Sequence, residues 1–360
     1  MLSVALLLLF YQPYSNQHYW WWLNLLALGM PLLLIMQFSF LVLWLFVKRK
    51  YLLLPFLTLL LAWPLMRSFF ATNLFDQPSL QQQDVRLATW NVALLHFYQQ
   101  NGKYDPRILS KARELDADIL LLQEFVYSED QDSPRSLNKL KKKLGFQYAV
   151  TASDPSFGVY SNASSKTNKY QPFCVALFSN FPIIRWEKVK AEDRYNYTFL
   201  WADLKVKTDT IRIVNVHLQS MYFVQRDYEF IENIHQKNLD EMKVNGGSIL
   251  RKMRSAYLQR AAQTKNVDAL VASSPYPVLL AGDFNDVPNS FTYQVLTQRL
   301  EDAFAAKGAG VGRTFTHLAP TLRIDHVLHS TSFVPLRSYV AKPALSDHLP
   351  VIADFKLKGK

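Results

Sequence analysis

The chain has a single cysteine and no internal repeat, and its first 70 residues contain no acidic residue. One cysteine among 360 residues excludes an intramolecular disulfide, so cysteine content does not decide the redox compartment. Cys174 lies in the apolar run from Phe173 to Phe178, which predicts a strand with Cys174 as a small buried hydrophobe. Without a repeat of about 20–50 residues, a repeat architecture is not expected.

The N-terminal 70 residues are dominated by Leu, Phe and Trp. Two stretches, Trp20 to Val47 and Tyr51 to Phe70, are long enough to cross a bilayer, which takes about 20 apolar residues. Met1 to Phe10 is shorter, either a truncated crossing or an interfacial helix. A signal peptide would need a basic start and a small-residue cleavage site, and neither is present. A soluble helical hairpin would have to bury this apolar surface inside a small domain, so we expect a membrane anchor of two or three helices.

The basic residues predict how this anchor is oriented. Lys48-Arg49-Lys50 lies between the two long stretches, and the positive-inside rule places that connection in the cytoplasm. The run Tyr19 to Trp22 is typical of an aromatic belt at the membrane interface. Residues 71–83 would then be a polar linker, and residues 84–360 a catalytic domain on the extracytoplasmic side of a bacterial inner membrane.

Charge also favours anionic partners. The chain has 40 Lys and Arg against 29 Asp and Glu, a net charge of +11. Four of the basic residues fall in residues 1–70, so the remainder carries 36 basic and 29 acidic residues, a net charge of +7. A phosphorylated substrate, an anionic membrane surface or nucleic acid would each suit this balance.

Three polar clusters near the C-terminal end lie beside apolar runs. They read Gly282-Asp283-Phe284-Asn285, Arg323-Ile324-Asp325-His326 and Ser346-Asp347-His348-Leu349-Pro350. The runs Pro277 to Ala281 and Val351 to Phe355 predict strands, which would hold these clusters at strand ends, where loops carry chemistry. Acid, amide and imidazole groups collected there are what a metal-assisted phosphoester hydrolase requires.

Three further predicted strands end in polar residues. Val85 to Trp90 ends at Asn91, Asp118 to Leu122 ends at Gln123-Glu124, and Ile211 to Val216 ends at His217. Taken singly, each has an ordinary structural explanation, such as a turn in which Asp and Asn bond their own backbone. The joint order of the clusters favours one active site.

In the order Trp-Asn, Gln-Glu, Val-His-Leu, Gly-Asp-Phe-Asn, Arg-Ile-Asp and Ser-Asp-His, the clusters closely resemble the endonuclease/exonuclease/phosphatase superfamily. That superfamily includes DNase I-like nucleases, neutral sphingomyelinases and inositol polyphosphate phosphatases. The resemblance covers residues 84–357. It implies an α/β (α+β) fold, a four-layer DNase I-like sandwich of two mixed β-sheets flanked by helices, here preceded by N-terminal transmembrane helices.

The resemblance implies roles for these residues. Glu124 would be a hard oxygen ligand for Mg²⁺ or Mn²⁺, and Asp347 would ligate a second metal or fix its loop. Asp283 would orient and deprotonate the attacking water. Asn91 and Asn285 would position the phosphate.

The histidines would act on the phosphoryl group and the leaving group. His348, oriented by Asp325, would donate to the phosphoryl oxygens, and His217 would assist there or at the leaving group. Which of the two is the general acid stays open. The remaining histidines match no motif at a ligand or acid–base position and are interpreted as structural; they are His18, His96, His235, His317, His326 and His329.

Two positions distinguish branches of the superfamily. The AP endonucleases carry an acidic residue where this chain has Ala93, and they lack a strand-end histidine like His217. The chain is therefore more similar to the DNase I, sphingomyelinase and phosphatase branches. A DNA-repair role is not expected.

We expect a membrane-anchored, divalent-metal-dependent phosphoester hydrolase. The linker would reach no more than roughly 50 Å at about 3.5 Å per residue, so the site stays near the bilayer, where a tether raises the effective concentration of membrane substrates. No basic-aromatic stripe typical of single-strand binding is evident. A lipid-linked or envelope-associated phosphoester is therefore expected in preference to duplex DNA. Two alternatives remain open: a membrane-tethered nuclease acting on DNA or RNA, and a catalytically inactive binding module on the same fold.

Two interior segments stand apart from the motifs. Ser153 to Gln171, rich in Ser, Asn and Lys, is typical of a surface loop. A charged helix from Gln225 to Val244, a break at Gly246-Gly247 and a second helix from Ile249 to Val271 are predicted next. Tyr222 to Asn245 is thus an extra element, either a solvated face against the sheet or a flap beside the active site.

Overall fold

The computed structural model describes residues 1–73, 82–96, 104–161, 169–190, 198–234, 242–342 and 345–358. Within these ranges the strands are β1 (Ala71–Thr72), β2 (Val85–Asn91), β3 (Ile119–Val126), β4 (Tyr148–Ser161), β5 (Lys169–Ser179), β6 (Ile183–Lys190), β7 (Thr198–Val206), β8 (Asp209–His217), β9 (Val278–Asp283), β10 (Glu301–Asp302), β11 (Ala309–Gly310), β12 (Asp325–His329), β13 (Phe333–Val340) and β14 (Val351–Leu357). The helices are α1 (Leu2–Leu8), α2 (Gln17–Trp20), α3 (Leu23–Leu28), α4 (Met30–Phe46), α5 (Leu53–Leu61), α6 (Trp63–Phe69), α7 (Pro106–Glu114), α8 (Leu137–Leu144), α9 (Gln225–Glu232), α10 (Gly247–Ala272), α11 (Phe291–Leu296) and α12 (Ala303–Lys307).

In the part of the chain described, two mixed six-stranded sheets form the centre of the molecule. One has the order β13-β14-β2-β3-β5-β4 and the other β10-β12-β9-β8-β7-β6. Alternation along each strand sends side chains to opposite faces. In β2, Val85 and Leu87 point into the core between the sheets, whereas Ala88 and Trp90 point outward.

Helices cover the outer face of each sheet. Helices α7 and α8 pack on the sheet of β2, through Ile108 and Leu140 among others. Val267 of α10 and Leu296 of α11 pack on the other sheet. Full burial of each such side chain contributes roughly 1.5–3 kcal/mol. The layers are thus helix, sheet, sheet and helix, which confirms the four-layer sandwich predicted from the sequence.

The N-terminal apolar stretches form shorter helices than predicted. Gly29 separates α3 from α4 and Ala62 separates α5 from α6, and in both cases a proline, Pro31 or Pro64, lies in the first turn of the second helix. Proline lacks the amide hydrogen that would continue the preceding helix, so a new helix begins there. No single helix among the described residues is both long and apolar enough to cross a bilayer, whereas the bent pair Arg49–Leu61 and Trp63–Phe69, 56° apart, meets these requirements together.

These helices pack directly against the sandwich. Leu6, Leu9, Ala27, Met30 and Leu65 share one apolar cluster with side chains of the domain that follows. The domain contributes four buried side chains to this cluster, Val287, Phe315, Leu322 and Ile324.

Buried hydrogen bonds support the same interface. The Asn24 Oδ1 accepts a bond of 2.9 Å from the Phe291 amide, and the Asn289 side-chain nitrogen donates to the Leu65 carbonyl over 2.9 Å. The Ser68 hydroxyl donates to Asn289 Oδ1 over 2.7 Å. The N-terminal helices therefore contact the domain directly, in addition to their connection through residues 71–83.

The start of the predicted linker is itself part of this contact. Ala71 and Thr72 pair with Gly310 and Ala309 as a two-stranded ladder, and Asn73 donates to the Ala306 carbonyl over 2.9 Å. The rest of the predicted linker up to Gln81 lies outside the described residues. Direct packing, rather than linker length, sets the distance between the helices and the domain.

Two other predictions are corrected by the interior segments. Ser153 to Gln171 is not a loop throughout, because strands β4 and β5 extend into it and pair from Gly158 with Pro172 to Ser161 with Lys169. The residues between these strands lie outside the described part. Backbone pairing on an edge hairpin tolerates the polar side chains that suggested a loop.

The glycine pair at residues 246–247 does not break the chain's helical path. Met242–Gly246 forms a π-helical turn that continues directly into α10, which spans the predicted second helix. Of the predicted charged helix, Gln225–Glu232 is helical, and residues 235–241 are not described.

Candidate active site

Strand pairing brings the predicted polar residues to one edge of the sandwich. Strands β2 and β3 run parallel, with Asn91 opposite Gln123, and β8 and β9 run parallel, with His217 opposite Asp283. Parallel neighbours end at the same edge, so both sheets deliver their C-terminal residues there. Asp325 begins the antiparallel strand β12 and lies opposite Asp283.

Asn91 connects the two sheets at this edge. Its side-chain nitrogen lies 3.1 Å from Asp283 Oδ2 and 3.3 Å from Glu124 Oε1. Its Oδ1 accepts a 3.1 Å bond from the Ala93 amide, which fixes the amide orientation. Both amide hydrogens thus face carboxylates, and the side chain is held where it can contact a phosphate.

Asp283 is the most central group of the cluster. His217 Nε2 lies 3.7 Å from Asp283 Oδ2, and His348 Nε2 lies 3.7 Å from the same oxygen. Burial raises the pKa of Asp283 above its ordinary value, while the neighbouring histidines act in the opposite direction. A carboxylate with a raised pKa is a better proton acceptor than an ordinary aspartate.

His348 and Asp325 form a buried pair. The His348 Nδ1 lies 2.9 Å from Asp325 Oδ2, which leaves Nε2 directed toward Asp283. Burial alone would lower the pKa of His348, but the carboxylates of Asp325 and Asp283 raise it to about 10. His348 is therefore an imidazolium at neutral pH.

The pKa of the second histidine, His217, is shifted in the opposite direction. Burial lowers the pKa of His217 below its ordinary value, helped by the positive charge of His348, although Asp283 opposes this shift. His217 Nε2 also lies 3.8 Å from Glu124 Oε1. Burial thus favours the neutral form of His217, whereas the neighbouring carboxylates favour the charged form of His348.

Glu124 lies in a bulge of β3 between Leu122 and Phe125 and has a φ of 51°. The bulge turns its side chain toward the site instead of into the sheet. Burial, with the charge of Asp347, raises the pKa of Glu124 to about 7. A cation beside Glu124 and Asp347 would relieve this repulsion.

A second group of donors is also compatible with a metal. One ligand atom each from Asp283, Asp325 and His348 lies within 4.8 Å of the others. Asp325 Oδ1 is buried and has no hydrogen-bond partner. The sequence predicted Glu124 and Asp347 as the metal ligands; the second group offers two carboxylates and an imidazole, and His348 would ligate a metal only in its deprotonated form.

The turn after β9 positions Asn285. Its backbone amide donates to Asp283 Oδ1 over 2.7 Å, and its side-chain nitrogen donates to the Leu218 carbonyl over 2.9 Å. The residue has a φ of 51°, which asparagine adopts more readily than most residues. Seven of the eight predicted residues thus lie at one edge, namely Asn91, Glu124, His217, Asp283, Asn285, Asp325 and His348, and the eighth, Asp347, lines the cavity there.

Several supporting residues were not predicted. The Trp90 indole donates to the His348 carbonyl over 3.0 Å, and the Ser346 hydroxyl donates to the Asn91 carbonyl over 2.8 Å. The Thr314 hydroxyl accepts from the Asp325 amide over 3.1 Å. Trp90 and Ser346 belong to the Trp-Asn and Ser-Asp-His motifs, and this membership could have indicated their supporting role. Thr314 lies in no recognisable sequence pattern.

Two buried histidines lie outside the cluster. His326 contacts the Asp286 carbonyl over 3.0 Å and packs against the rings of Phe284 and Tyr293. Burial and the charge of Arg323 lower the pKa of His326 to about 4. His329 contacts the Ser330 carbonyl over 3.0 Å. Both agree with the structural role predicted for them.

The cluster forms the floor of a cavity of about 700 Å³. The charged floor is formed by the ionisable side chains of Glu124, His217, Asp283, Asp347 and His348. The walls are mostly apolar and include Leu28 of α3 and side chains of the extra element. They are Leu28, Met221, Phe223, Tyr228, Ile231, Ile249, Met253, Tyr257, Val287, Phe315, Leu318, Ala319, Leu322 and Ile324. The extra element therefore borders the active site and is not simply a solvated face.

The fold and this cluster define the class of two-sheet α/β phosphoester hydrolases. Residues 88–348 match the Endonuclease/Exonuclease/phosphatase family, and the chain belongs to that family. Residues 1–69 match a domain of unknown function (DUF8431). No curated protein matches the chain.

Solved structures share the fold at low sequence identity. An endonuclease/exonuclease/phosphatase from Beutenbergia cavernae DSM 12333 is 19% identical with a TM-score of 0.56, over 77% of this chain and 72% of that one. The human Nocturnin catalytic domain, with a bound sulfate anion, is 18% identical with a TM-score of 0.53, over 78% and 97%. A family protein from Leptotrichia buccalis C-1013-b is 15% identical with a TM-score of 0.50, over 76% and 100%.

Proposed function

We propose that this protein is a divalent-metal-dependent phosphoester hydrolase held at a membrane. One observation carries the proposal: Asn91 lies within hydrogen-bonding distance of both Asp283 and Glu124, and two histidines of different charge face the same Asp283 oxygen. An amide, a carboxylate base and an imidazolium around one point suit a tetrahedral phosphorus centre.

The residues present fit a metal ion. Glu124 and Asp347 would hold it, since burial and the charge of Asp347 raise the pKa of Glu124, although the charge of His348 acts in the opposite direction. The unpartnered Asp325 Oδ1 marks a second oxygen donor nearby. When bound, Mg²⁺ or Mn²⁺ supplies charge neutralisation at the phosphoryl oxygens.

The side chains provide proton transfer and positioning of the phosphate. Asp283 accepts a proton from the attacking water, and its raised pKa brings it closer to that of an effective base. The imidazolium of His348 donates from Nε2 to a phosphoryl oxygen, with Nδ1 bound to Asp325. Asn91 and Asn285 position the phosphate, and neutral His217 assists at the leaving group.

A membrane location is supported by the N-terminal helices. Helix α4 exposes Leu32, Ile35, Phe38 and Phe46, with exposed fractions between 46% and 80%. An exposed apolar surface of this kind is typical of contact with lipid or with a partner. With Lys48-Arg49-Lys50 in the cytoplasm, the catalytic domain would lie on the extracytoplasmic side, which in a bacterium is outside the inner membrane.

A lipid-linked or envelope-associated phosphoester is the substrate class we propose. The direct packing of the N-terminal helices on the sandwich holds the active site close to whatever membrane those helices contact. Such confinement favours substrates in or on that membrane over freely diffusing ones. Duplex DNA is expected to be the poorer substrate.

The test uses the purified full chain and a chromogenic phosphodiester, bis(p-nitrophenyl) phosphate. Hydrolysis should disappear with EDTA and return when Mg²⁺ or Mn²⁺ is added in excess. Plasmid DNA and phospholipid vesicles are then compared under the same metal and salt. Activity that survives chelation would contradict the metal dependence, faster cleavage of DNA would favour a nuclease, and a folded protein without any activity would indicate a binding module.

A further inference from the structure

We propose that the apolar walls of the active-site cavity bind the hydrocarbon chain of the substrate, next to the phosphoester on the charged floor. This inference rests on the proposed function and makes it more specific. The substrate would be an amphiphile, a phosphoester with an acyl, alkyl or isoprenoid chain, and the cavity would bind the chain as well as the phosphate.

The walls come from three separate parts of the chain. Leu28 ends helix α3 of the N-terminal unit, Phe223 and Ile231 belong to the extra element, and Phe315 and Leu322 lie before β12. The apolar character of any one of these parts does not by itself indicate a binding site. Their meeting around the catalytic floor forms an apolar chamber that is directly continuous with the reacting group.

The N-terminal unit and the extra element pack on each other to make this wall. Trp21, Leu25 and Leu28 contact the cluster formed by Phe230, Ile249, Met253 and Tyr257, which Phe223 and Ile231 also join. Leu28 therefore lies between the catalytic domain and helices that expose apolar side chains elsewhere. The cavity wall is incomplete without the N-terminal helices.

The charge of the cavity disfavours a polynucleotide. Among the described residues that line it, none is Lys or Arg, although nucleic acid recognition relies on such side chains along the phosphate backbone. Away from the floor, the polar residues that line it include Ser220, Glu232, Asn285 and Asp286, and the carboxylates of Glu232 and Asp286 would repel a second phosphate. An uncharged chain is compatible with these walls.

The volume suits such a ligand. About 700 Å³ falls within the roughly 300–1,000 Å³ of pockets that hold drug-sized ligands, which is more room than a phosphate needs. Burial of one methylene contributes about 0.8 kcal/mol, or about a fourfold gain in affinity. A substrate gains this increment with every methylene that the walls cover.

Chain length is therefore the variable to change. The full chain, held in an amphipathic polymer so that no free detergent competes, is given p-nitrophenyl phosphodiesters with methyl, butyl or octyl groups below their micelle concentrations. We expect kcat/KM to rise with each added methylene by up to about fourfold until the cavity is filled. A flat series, with the methyl ester hydrolysed as well as the octyl ester, would overturn the inference and leave the proposed function standing.

Substitutions in the cavity wall test whether the cavity causes the dependence of kcat/KM on chain length. Ile231→Gln and Leu28→Gln each place an amide in the wall, from two different elements, and should lower the octyl-to-methyl ratio of kcat/KM at least tenfold. Leu250→Gln is the matched control: it lies on α10 beside the wall residue Ile249 but does not line the cavity, and its side chain is 47% exposed. An equal fall of the ratio in the control and the wall variants would contradict the assignment.

A binding measurement separates failure of the inference from failure of the function. Titration calorimetry of the full chain with butyl, octyl and dodecyl phosphate requires no turnover. Affinity that rises with chain length, and is weakened by Ile231→Gln, supports the chamber even if none of the phosphodiesters is hydrolysed. Affinity independent of chain length overturns the inference whatever the activity.

Discussion

The hydrogen bond between Asp325 and His348 acts together with nearby carboxylates to favour the charged form of this histidine. Asp325 holds Nδ1, so Nε2 is the ring atom that faces Asp283, and the nearby carboxylates keep the imidazole protonated. His217 lies at the same distance from this Asp283 oxygen, but burial lowers its pKa. The question of which histidine is the general acid, left open by the sequence, thus receives a structural argument in favour of His348.

Loss of the central base or of the donor should nearly abolish turnover. Asp283→Asn keeps the shape and an acceptor oxygen for the Asn285 amide but removes the base, and His348→Ala removes the donor. Each should lower kcat by about 10² to 10⁴, the usual contribution of a positioned acid or base. Glu124→Gln should mainly shift activity to higher Mg²⁺ concentration. Steady-state kinetics with bis(p-nitrophenyl) phosphate measures all three.

Asp116→Asn is the matched control for these variants. Its side chain is 93% exposed and lies on the surface near Arg86, so its kinetics should equal those of the wild type. Circular dichroism and melting temperature establish that each variant is folded. Wild-type rates in folded Asp283→Asn and His348→Ala proteins would show that the site assignment is wrong.

At the residue scale, the sequence indicated which polar residues would lie together, because each lies in a short motif beside a predicted strand. The structure brings all of them to one edge, although their catalytic roles stay predictions. What the sequence did not predict are contacts between residues far apart in the chain. The Trp90 indole and the His348 carbonyl, for example, meet only because β14 pairs with β2.

At the element scale, the close pairing of β8 and β9 depends on Gly282. Its φ is 144°, and a Cβ there would lie 1.9 Å from the Val216 carbonyl oxygen. Neither the backbone conformation nor the space suits an L side chain. Because Gly282 precedes Asp283 and Val216 precedes His217, any displacement moves both catalytic side chains.

Gly282→Ala should therefore unfold the protein at a much lower temperature or prevent folding altogether. Strain at such a position costs roughly 1–3 kcal/mol before the steric overlap is counted. Gly246→Ala is the control, since a Cβ at Gly246 meets nothing within 4 Å and its φ is helical. Thermal unfolding followed by circular dichroism compares the two, and equal melting temperatures would contradict this account of Gly282.

Strands with apolar runs were predicted more reliably than the other elements. Runs such as Ile119 to Leu122 are buried on both faces, so hydrophobicity alone identifies them. Only part of the hairpin of β4 and β5 was predicted: the apolar run Phe173 to Phe178 indicated β5, whereas the pairing of residues 158–161 with residues 169–172 rests on backbone hydrogen bonds without an apolar pattern. The N-terminal stretches were predicted as long helices because hydropathy does not register the breaks at Gly29 and Ala62.

At the scale of the whole molecule, the N-terminal helices and the sandwich share one interface. No sequence pattern indicated it, since Asn24, Ser68 and Asn289 are isolated polar residues far apart in the chain. Arg323, which pairs with Asp302 over 2.6 Å, also donates to the Ser68 carbonyl. The polar bonds orient the helices on the domain, and the apolar cluster supplies the contact area.

Orientation in the membrane is tested with reporter fusions. An alkaline phosphatase fused after Lys360, active only outside the cytoplasm, should be active in a bacterial host. The same reporter fused after Lys50 should be inactive, because the basic cluster Lys48-Arg49-Lys50 should remain in the cytoplasm. The reverse pattern would place the catalytic domain on the cytoplasmic side.

The contact between Asn289, Phe291 and the N-terminal helices changes how the enzyme meets its substrate. The loop that follows Asp283 and Asn285 is hydrogen-bonded to those helices, so the active site is held at a fixed position relative to them. In the membrane-held enzyme that we propose, encounter becomes a lateral search within a surface. The rate is then set by the number of substrate molecules per unit area of bilayer, and added inert lipid slows hydrolysis even when the substrate per volume is unchanged.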